Sequence, residues 1–198
     1  MLIQKCDNDQ LTLIRMKLDL VNLEPEYFSE DAILNLEKYF NYIELSKSEN
    51  IEEILKNAIG LITRLNFYID ANILKNAESL KFIATPTTGN NHIDLDYIDK
   101  NNIELINLKN EKAFLSNIHS TAEHAFGLII ALSKNYKRAF HDASNFQWNR
   151  NNFIGSEISG KTIGIIGLGR LGSKVSNYAK AFGASVIYYD HAIKNNKF

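Results

Sequence analysis

Cysteine is almost absent: Cys6 is the single thiol in 198 residues. An internal disulfide framework is thereby excluded, and so is a thiolate metal cluster. Surplus charge of either sign is missing too. The 22 Lys and Arg nearly balance 23 Asp and Glu, leaving a formal net charge of −1, which gives no reason to invoke nucleic acid or an anionic membrane as partner. No apolar run approaches the roughly 18 residues of a membrane-spanning helix, so none is expected. Lys5 and Asp7 interrupt the N-terminus too early for a secretory signal. With one thiol and no leader, a reducing cytoplasm is the expected home. The chain shows no Ser/His/Asp elbow, no metal-ligand spacing and no internal repeat. Its many Asn, Lys and Ile residues are spread evenly and read as compositional bias, not a low-complexity tract.

Apolar residues make up 45 % and charged residues 23 %, the balance of an ordinary globular protein. From Met16 onward, strand-like and helix-like segments alternate. Met16 is one of two methionines and stands just before the first strand, so it is a candidate start, with residues 1–15 an extension. Strands are expected at 18–23, 42–45, 61–64 (after Gly60), 81–85 and 103–108. Helices are expected at about 29–40 with Ser29 as N-cap, 50–58, 70–80 and 94–100. That alternation predicts a parallel, doubly wound α/β sheet. One long helix is expected over 117–136. Residues 137–159 read as polar and irregular, with Trp148 and Phe153 as anchors.

The most specific pattern comes late. An apolar run at 162–166 ends in Gly167-x-Gly169-x-x-Gly172. A helix follows, then a second apolar run at 184–189 closed by Asp190. Strand, glycine turn, helix, strand and acid together are the fingerprint of a dinucleotide-binding βαβ unit. Gly167 permits the turn, Gly169 lets backbone approach a pyrophosphate, and Gly172 lets the helix pack close to the sheet. The helix beginning near Arg170 offers free N–H groups and its positive dipole end to phosphate. Asp190, 18 residues after Gly172, is placed to bond the ribose hydroxyls and repels a 2′-phosphate. The expected cofactor is NAD, with the cradle formed by Gly167, Leu168, Gly169, Arg170, Leu171 and Gly172.

With residues 61–64, 80–94, 120–125, 148–150 and 160–190 in this order, the chain resembles the D-isomer-specific 2-hydroxyacid dehydrogenase family, the phosphoglycerate dehydrogenase-like enzymes. The resemblance covers nearly everything from Met16 onward. It implies an α/β architecture: a flavodoxin-like parallel-sheet substrate domain, here 16–116, followed by a truncated Rossmann NAD-binding domain, here 117–198 with the bridging helix. It implies an NAD-dependent oxidoreductase acting on the CH–OH group of a D-2-hydroxy acid, or reducing a 2-keto acid. A homodimer is implied for the complete protein.

Residue by residue, the resemblance makes the backbone of Thr87, Thr88 and Gly89 a cradle for the substrate carboxylate, the alternative being a plain strand-to-helix turn. Arg64 matches a position that reaches a second acidic group on the substrate; the alternative is a surface Arg paired with a neighbouring acid. Thr121 resembles a cofactor-contacting position, while Glu123 is expected to form a capping box with Ser120. The loop from Pro86 to Gly89 departs from the Arg-Ala-Gly-Thr-Gly type of phosphoglycerate enzymes, which weakens that substrate assignment. The family's catalytic Arg, acid and His find no match, and His92, His119, His124, His141 and His191 all read as structural or surface residues. A complete nucleotide domain needs on the order of 150 residues, whereas residues 161–198 supply 38. The expectation is a fragment, inactive alone, with the catalytic trio beyond residue 198. The alternative is a non-catalytic NAD-binding or interaction module.

Overall fold

The computed structural model describes residues 2–3, 14–15, 17–45 and 50–192. They divide into two compact units, Met1–Glu111 and Lys112–Phe198. Met16 lies outside the described residues. Within the stretch read as an extension, β1 (Leu2–Ile3) and β2 (Ile14–Arg15) pair antiparallel.

The first unit is a five-stranded parallel sheet. Its elements are β3 (Leu18–Asn22), α1 (Glu30–Glu37), β4 (Phe40–Glu44), α2 (Ile51–Ile54), β5 (Ala58–Ile62), α3 (Ala71–Leu74), β6 (Phe82–Ala84), α4 (Leu95–Lys100) and β7 (Glu104–Ile106). The order across the sheet is β4-β3-β5-β6-β7. Taking β3 as the first strand, this is the 2-1-3-4-5 order of flavodoxin-like folds. Direction of winding reverses between β3 and β5, and their carboxyl ends are where such sheets bind ligands. Val21, Leu61 and Ile83, on three adjacent strands, are fully buried against Leu55, Ile69, Leu74, Ile93 and Ile98. On the sheet, a Cβ at Gly60 would stand 2.2 Å from the Phe82 ring, so only glycine leaves room for that ring.

The helix starts follow side-chain chemistry. Ser29 accepts from Ala32 N (3.2 Å), Asp70 from Asn72 N (2.9 Å) and Asp94 from Tyr97 N (3.0 Å), each satisfying an amide that the first turn leaves unpaired. Two expected helices prove far shorter than 50–58 and 70–80. Ala58 is already in β5, and after α3 the chain proceeds by i→i+3 turns, Ala77 N to Leu74 O (3.0 Å) and Leu80 N to Ala77 O (3.1 Å). Apolar residues three apart stay inward in such turns without a continuous α-helix.

The second unit contains α5 (Lys112–Ser116), α6 (Ser120–Ser133), α7 (Tyr136–Ser144), a 3₁₀ turn (Arg150–Phe153), β8 (Thr162–Ile166), α8 (Arg170–Ala181) and β9 (Ser185–Tyr189). β8 and β9 pair in parallel around α8. Phe126 of α6 packs between Tyr178 and Phe182, ring centres 5.9 and 5.0 Å away. The single helix expected over 117–136 is instead α6 followed by the start of α7. Asn135 adopts the left-handed conformation (φ 54°) and begins α7, a backbone state asparagine tolerates better than most residues. Part of 137–159 is therefore helical rather than irregular. Trp148 is 83 % exposed and anchors nothing. The Ser120–Glu123 capping box does not form either: His119 is the N-cap of α6, without a side-chain cap bond. Ser120 is already inside the helix, one position too late for that role.

Candidate functional site

At the carboxyl ends of β3 and β5, backbone and side chains converge on a carboxylate not anticipated from sequence. Glu24, two residues past β3, is 3 % exposed. Its Oε2 accepts the Thr63 hydroxyl (3.0 Å) and the amide of Arg64; its Oε1 accepts the amides of Leu65 and Asn66, both at 3.2 Å. A buried ion is tolerated when its lone pairs are filled in this way. The Glu24 amide in turn donates to buried Asn22 Oδ1 (3.0 Å). The result is a loop, 63–66, shaped by one acid at the reversal point of the sheet.

Arg64 is held at that loop. Its Nη1 donates to the Glu26 carbonyl (3.2 Å), and the guanidinium lies 5.8 Å from the centre of the exposed Tyr27 ring. Neither contact is the carboxylate pairing that a surface arginine would ordinarily make.

The neighbouring loop after β6 is organised by hydroxyls. Thr85 and Thr87 are 3.0 Å apart at their oxygens, and Thr87 Oγ1 donates to the Gly89 carbonyl (2.8 Å). The Thr87 carbonyl accepts from Leu108 N (3.0 Å). Thr88 and Gly89 are exposed, and a Cβ on Gly89 would meet nothing within 4 Å. Beneath them His92 is buried, with Nε2 3.3 Å from Thr85 Oγ1. Burial holds its imidazole below the usual histidine range, and the charge of Glu24 partly opposes that. Sequence reasoning set His92 aside and missed Glu24. The available signal was an acid ending the apolar run 18–23, where no solvent-facing helix explains it.

In the second unit the glycine turn is pinned at Leu168. That side chain is 4 % exposed. Its N–H donates to Asp190 Oδ2 (2.7 Å), and its carbonyl accepts the Ser173 hydroxyl (3.1 Å). Gly167 continues the pairing of β8, its N–H donating to Tyr189 O (2.8 Å), and turns at φ 90°. A Cβ on Gly172 would stand 2.1 Å from Gly167 O, whereas one on Gly169 would meet nothing within 4 Å. Gly172 thus allows helix and turn to touch, and Gly169 leaves open space above the backbone. α8 starts on Gly169 without a side-chain cap bond, so its first turn presents amides and the positive dipole end. These residues fit a dinucleotide: a glycine cradle, an uncapped helix N-terminus and a carboxylate beside them.

The side chains of α8 serve elsewhere. Arg170 Nη1 donates to Leu115 O (3.2 Å) and Lys174 Nζ to Ser116 O (2.7 Å). Both cations thereby meet the carbonyls closing α5, the favourable end for positive charge. Of Arg170, then, the backbone rather than the guanidinium faces the cradle's task. Leu171 is half-buried in the first turn of α8, and Thr121 is exposed in the first turn of α6. His119, just before α6, reaches α8 as well, its Nδ1 3.2 Å from the Tyr178 hydroxyl. The structure therefore gathers residues 167–172 with Asp190 in one unit, and Arg64 with residues 87–89 on adjacent strand ends of the other. Among the described residues, no group of His, Cys, Asp and Glu is arranged to hold a metal.

Comparison with known proteins gives three findings. The family described as "D-isomer specific 2-hydroxyacid dehydrogenase, NAD binding domain" matches residues 126–198. D-3-phosphoglycerate dehydrogenase of Mycobacterium tuberculosis is 38 % identical over 133 residues, covering 67 % of this chain and 24 % of that protein. The enzyme of the same name from Methanocaldococcus jannaschii is 35 % identical over 165 residues, covering 81 % and 30 %. Among solved structures, D-lactate dehydrogenase of Aquifex aeolicus, complexed with NAD and lactic acid, superposes with a TM-score of 0.72 at 30 % identity. That superposition covers 89 % of this chain and 52 % of the other. The chain thus spans less than a third of the length of these curated relatives.

Proposed function

The chain belongs to the D-isomer-specific 2-hydroxyacid dehydrogenase family, and from that premise we propose that residues 167–172 with Asp190 hold NAD. The observation that carries this is the uncapped N-terminus of α8 opening onto the glycine turn, with the Asp190 carboxylate 2.7 Å from the turn's Leu168 amide. In this reading the first-turn amides of α8 bind the pyrophosphate, Asp190 binds the ribose hydroxyls, and Thr121 adds a further cofactor contact. The negative charge of Asp190 selects against a 2′-phosphate.

For the whole protein we propose the oxidation of a D-2-hydroxy acid, or the reverse reduction of a 2-keto acid. Bound NAD supplies the hydride acceptor at its nicotinamide. Thr87, Thr88 and Gly89 then offer backbone to the substrate carboxylate, and Arg64 reaches a second acidic group. The unit that contains them serves as the substrate domain, about 16–116, and residues 117–198 begin the cofactor domain. The relatives named D-3-phosphoglycerate dehydrogenase support the substrate class. The loop beginning at Pro86 argues against carrying over phosphoglycerate itself. No helix among the described residues is long and apolar enough to cross a membrane, and a cytoplasmic homodimer is the setting proposed for the complete enzyme.

Calorimetric titration of the 198-residue chain with NAD and with NADP tests the cofactor reading. The expected result is NAD binding with at least about tenfold preference over NADP, worth roughly 1.4 kcal/mol. Failure to bind either dinucleotide overturns it. The family's catalytic Arg, acid and His have no match in these residues, so this chain alone is expected to show no NADH-linked reduction of 2-keto acids.

A further inference from the structure

Resting on the NAD reading, we propose that Asp190 is a positioning residue for the phosphate cradle as well as the residue that reads the ribose. The chain of contacts is short. Asp190 Oδ1 accepts the Ala192 amide (2.8 Å), which fixes the carboxylate on its own strand end. Oδ2 accepts the Leu168 amide (2.7 Å). The Leu168 carbonyl takes the Ser173 hydroxyl (3.1 Å), and Ser173 N donates to Gly169 O (2.9 Å). Leu168 is therefore held by its amide, its carbonyl and its buried side chain, and the next two residues, Gly169 and Arg170, begin α8. Where those first amides point depends on where Asp190 holds Leu168.

The two tasks of this carboxylate have different chemical requirements. Excluding a 2′-phosphate needs negative charge. Holding Leu168 needs only an acceptor oxygen in the position of Oδ2, and a carboxamide supplies one. Asp190→Asn thus separates the tasks, keeping the acceptor and removing the charge, whereas Asp190→Ala removes both. Deleting the acid does not convert the site to NADP. Asp190→Asn narrows the NAD/NADP preference, while Asp190→Ala weakens both dinucleotides.

The experiment titrates the 198-residue chain and its two variants with NAD and with an NAD analogue whose adenosine carries no 2′ or 3′ hydroxyl. Amide hydrogen exchange at Leu168 is followed by NMR without ligand. Asp190→Ala is expected to bind the dideoxy analogue about tenfold or more weakly than wild type, the size of a lost charge-assisted hydrogen bond. Asp190→Asn is expected to stay within about threefold, because its oxygen still holds the loop. Leu168 exchange protection should persist in the Asn variant and fall in the Ala variant. Unchanged analogue affinity in Asp190→Ala would mean that the acid acts through the ribose alone, and the proposal would be wrong. If wild type binds neither NAD nor the analogue, the cofactor reading fails separately. The exchange data then decide: equal Leu168 protection in all three chains overturns the positioning role.

Discussion

Both units end a parallel strand with an acid whose carboxylate is committed to a neighbouring loop, but the two acids stand in different environments. Glu24 is 3 % exposed and gathers four donors from residues 63–66. Asp190 is partly exposed and takes the Leu168 and Ala192 amides. The first arrangement is closed: four donors meet one buried carboxylate, so the acid holds the fold of that loop. The second stands at the protein surface beside an open helix N-terminus, where water or a ligand hydroxyl also has access. Burial, not residue type, separates a closed structural clamp from a carboxylate that solvent can still reach.

The contrast predicts a graded series. Glu24→Ala should have the largest effect, destabilising the chain by about 3 kcal/mol in urea titration, because a hydroxyl and several amides lose their acceptor together. A loss below about 1 kcal/mol would show that water replaces the carboxylate and would erase the distinction. Gly172→Ala comes next, at about 2 kcal/mol, since its methyl must displace Gly167 O from 2.1 Å. NAD affinity should fall with it, and unchanged titration would deny the close contact between turn and helix. Asp190→Ala should cost no more than about 1 kcal/mol of stability, given its partial exposure, while its ligand effect is much greater. A stability loss equal to that of Glu24→Ala would merge the two classes.

The smallest effect concerns pH and His92. Its native imidazole titrates below the ordinary value through burial. Below about pH 6.5 the unfolded chain binds a proton that native His92 does not. Stability from the neutral ring is therefore present above that pH and is lost as pH falls through the native value. In urea titrations between neutrality and mild acid, His92→Gln should flatten the slope of stability against pH. An identical slope in the variant would remove His92 from the buried polar network under residues 85–89.

Much of this was legible in local chemistry. Ser29 announces α1, and the spacing from Gly167 to Asp190 announces the second βαβ unit, because caps and glycine turns depend on residues a few positions apart. What was hidden depends on the third dimension. The apolar spacing of Leu74, Ala77 and Leu80 suits an α-helix and a series of three-residue turns equally well, and packing against the sheet chooses the turns. The left-handed step at Asn135 is one residue in an otherwise helix-compatible stretch, so the break between α6 and α7 carries almost no compositional mark. In the sequence Glu24 is only an acid that follows the apolar run 18–23. Only the meeting of β3 with β5, whose ends are distant in sequence, makes it a buried anchor. The strand pattern of β8 and β9 was similarly incomplete as a guide: Ile166 and Tyr189 are 91 % and 69 % exposed although both lie in apolar runs. Apolar sequence states which face a strand is suited to bury, not whether something covers it.

The strand order of the first unit has a consequence for the time course of folding. β3 is made early, yet it lies inside the sheet, with β4 on one side and β5 on the other. As the chain leaves the ribosome, β3 and β4 can pair as soon as Glu44 has emerged, but the other edge of β3 stays open until Ile62 follows. β6 and β7 then add outward one at a time. Pairings of this range form slowly, and the open edge is meanwhile available to a neighbouring nascent chain. The interval between synthesis of β4 and docking of β5 is thus one in which the open edge of β3 is exposed to misassembly.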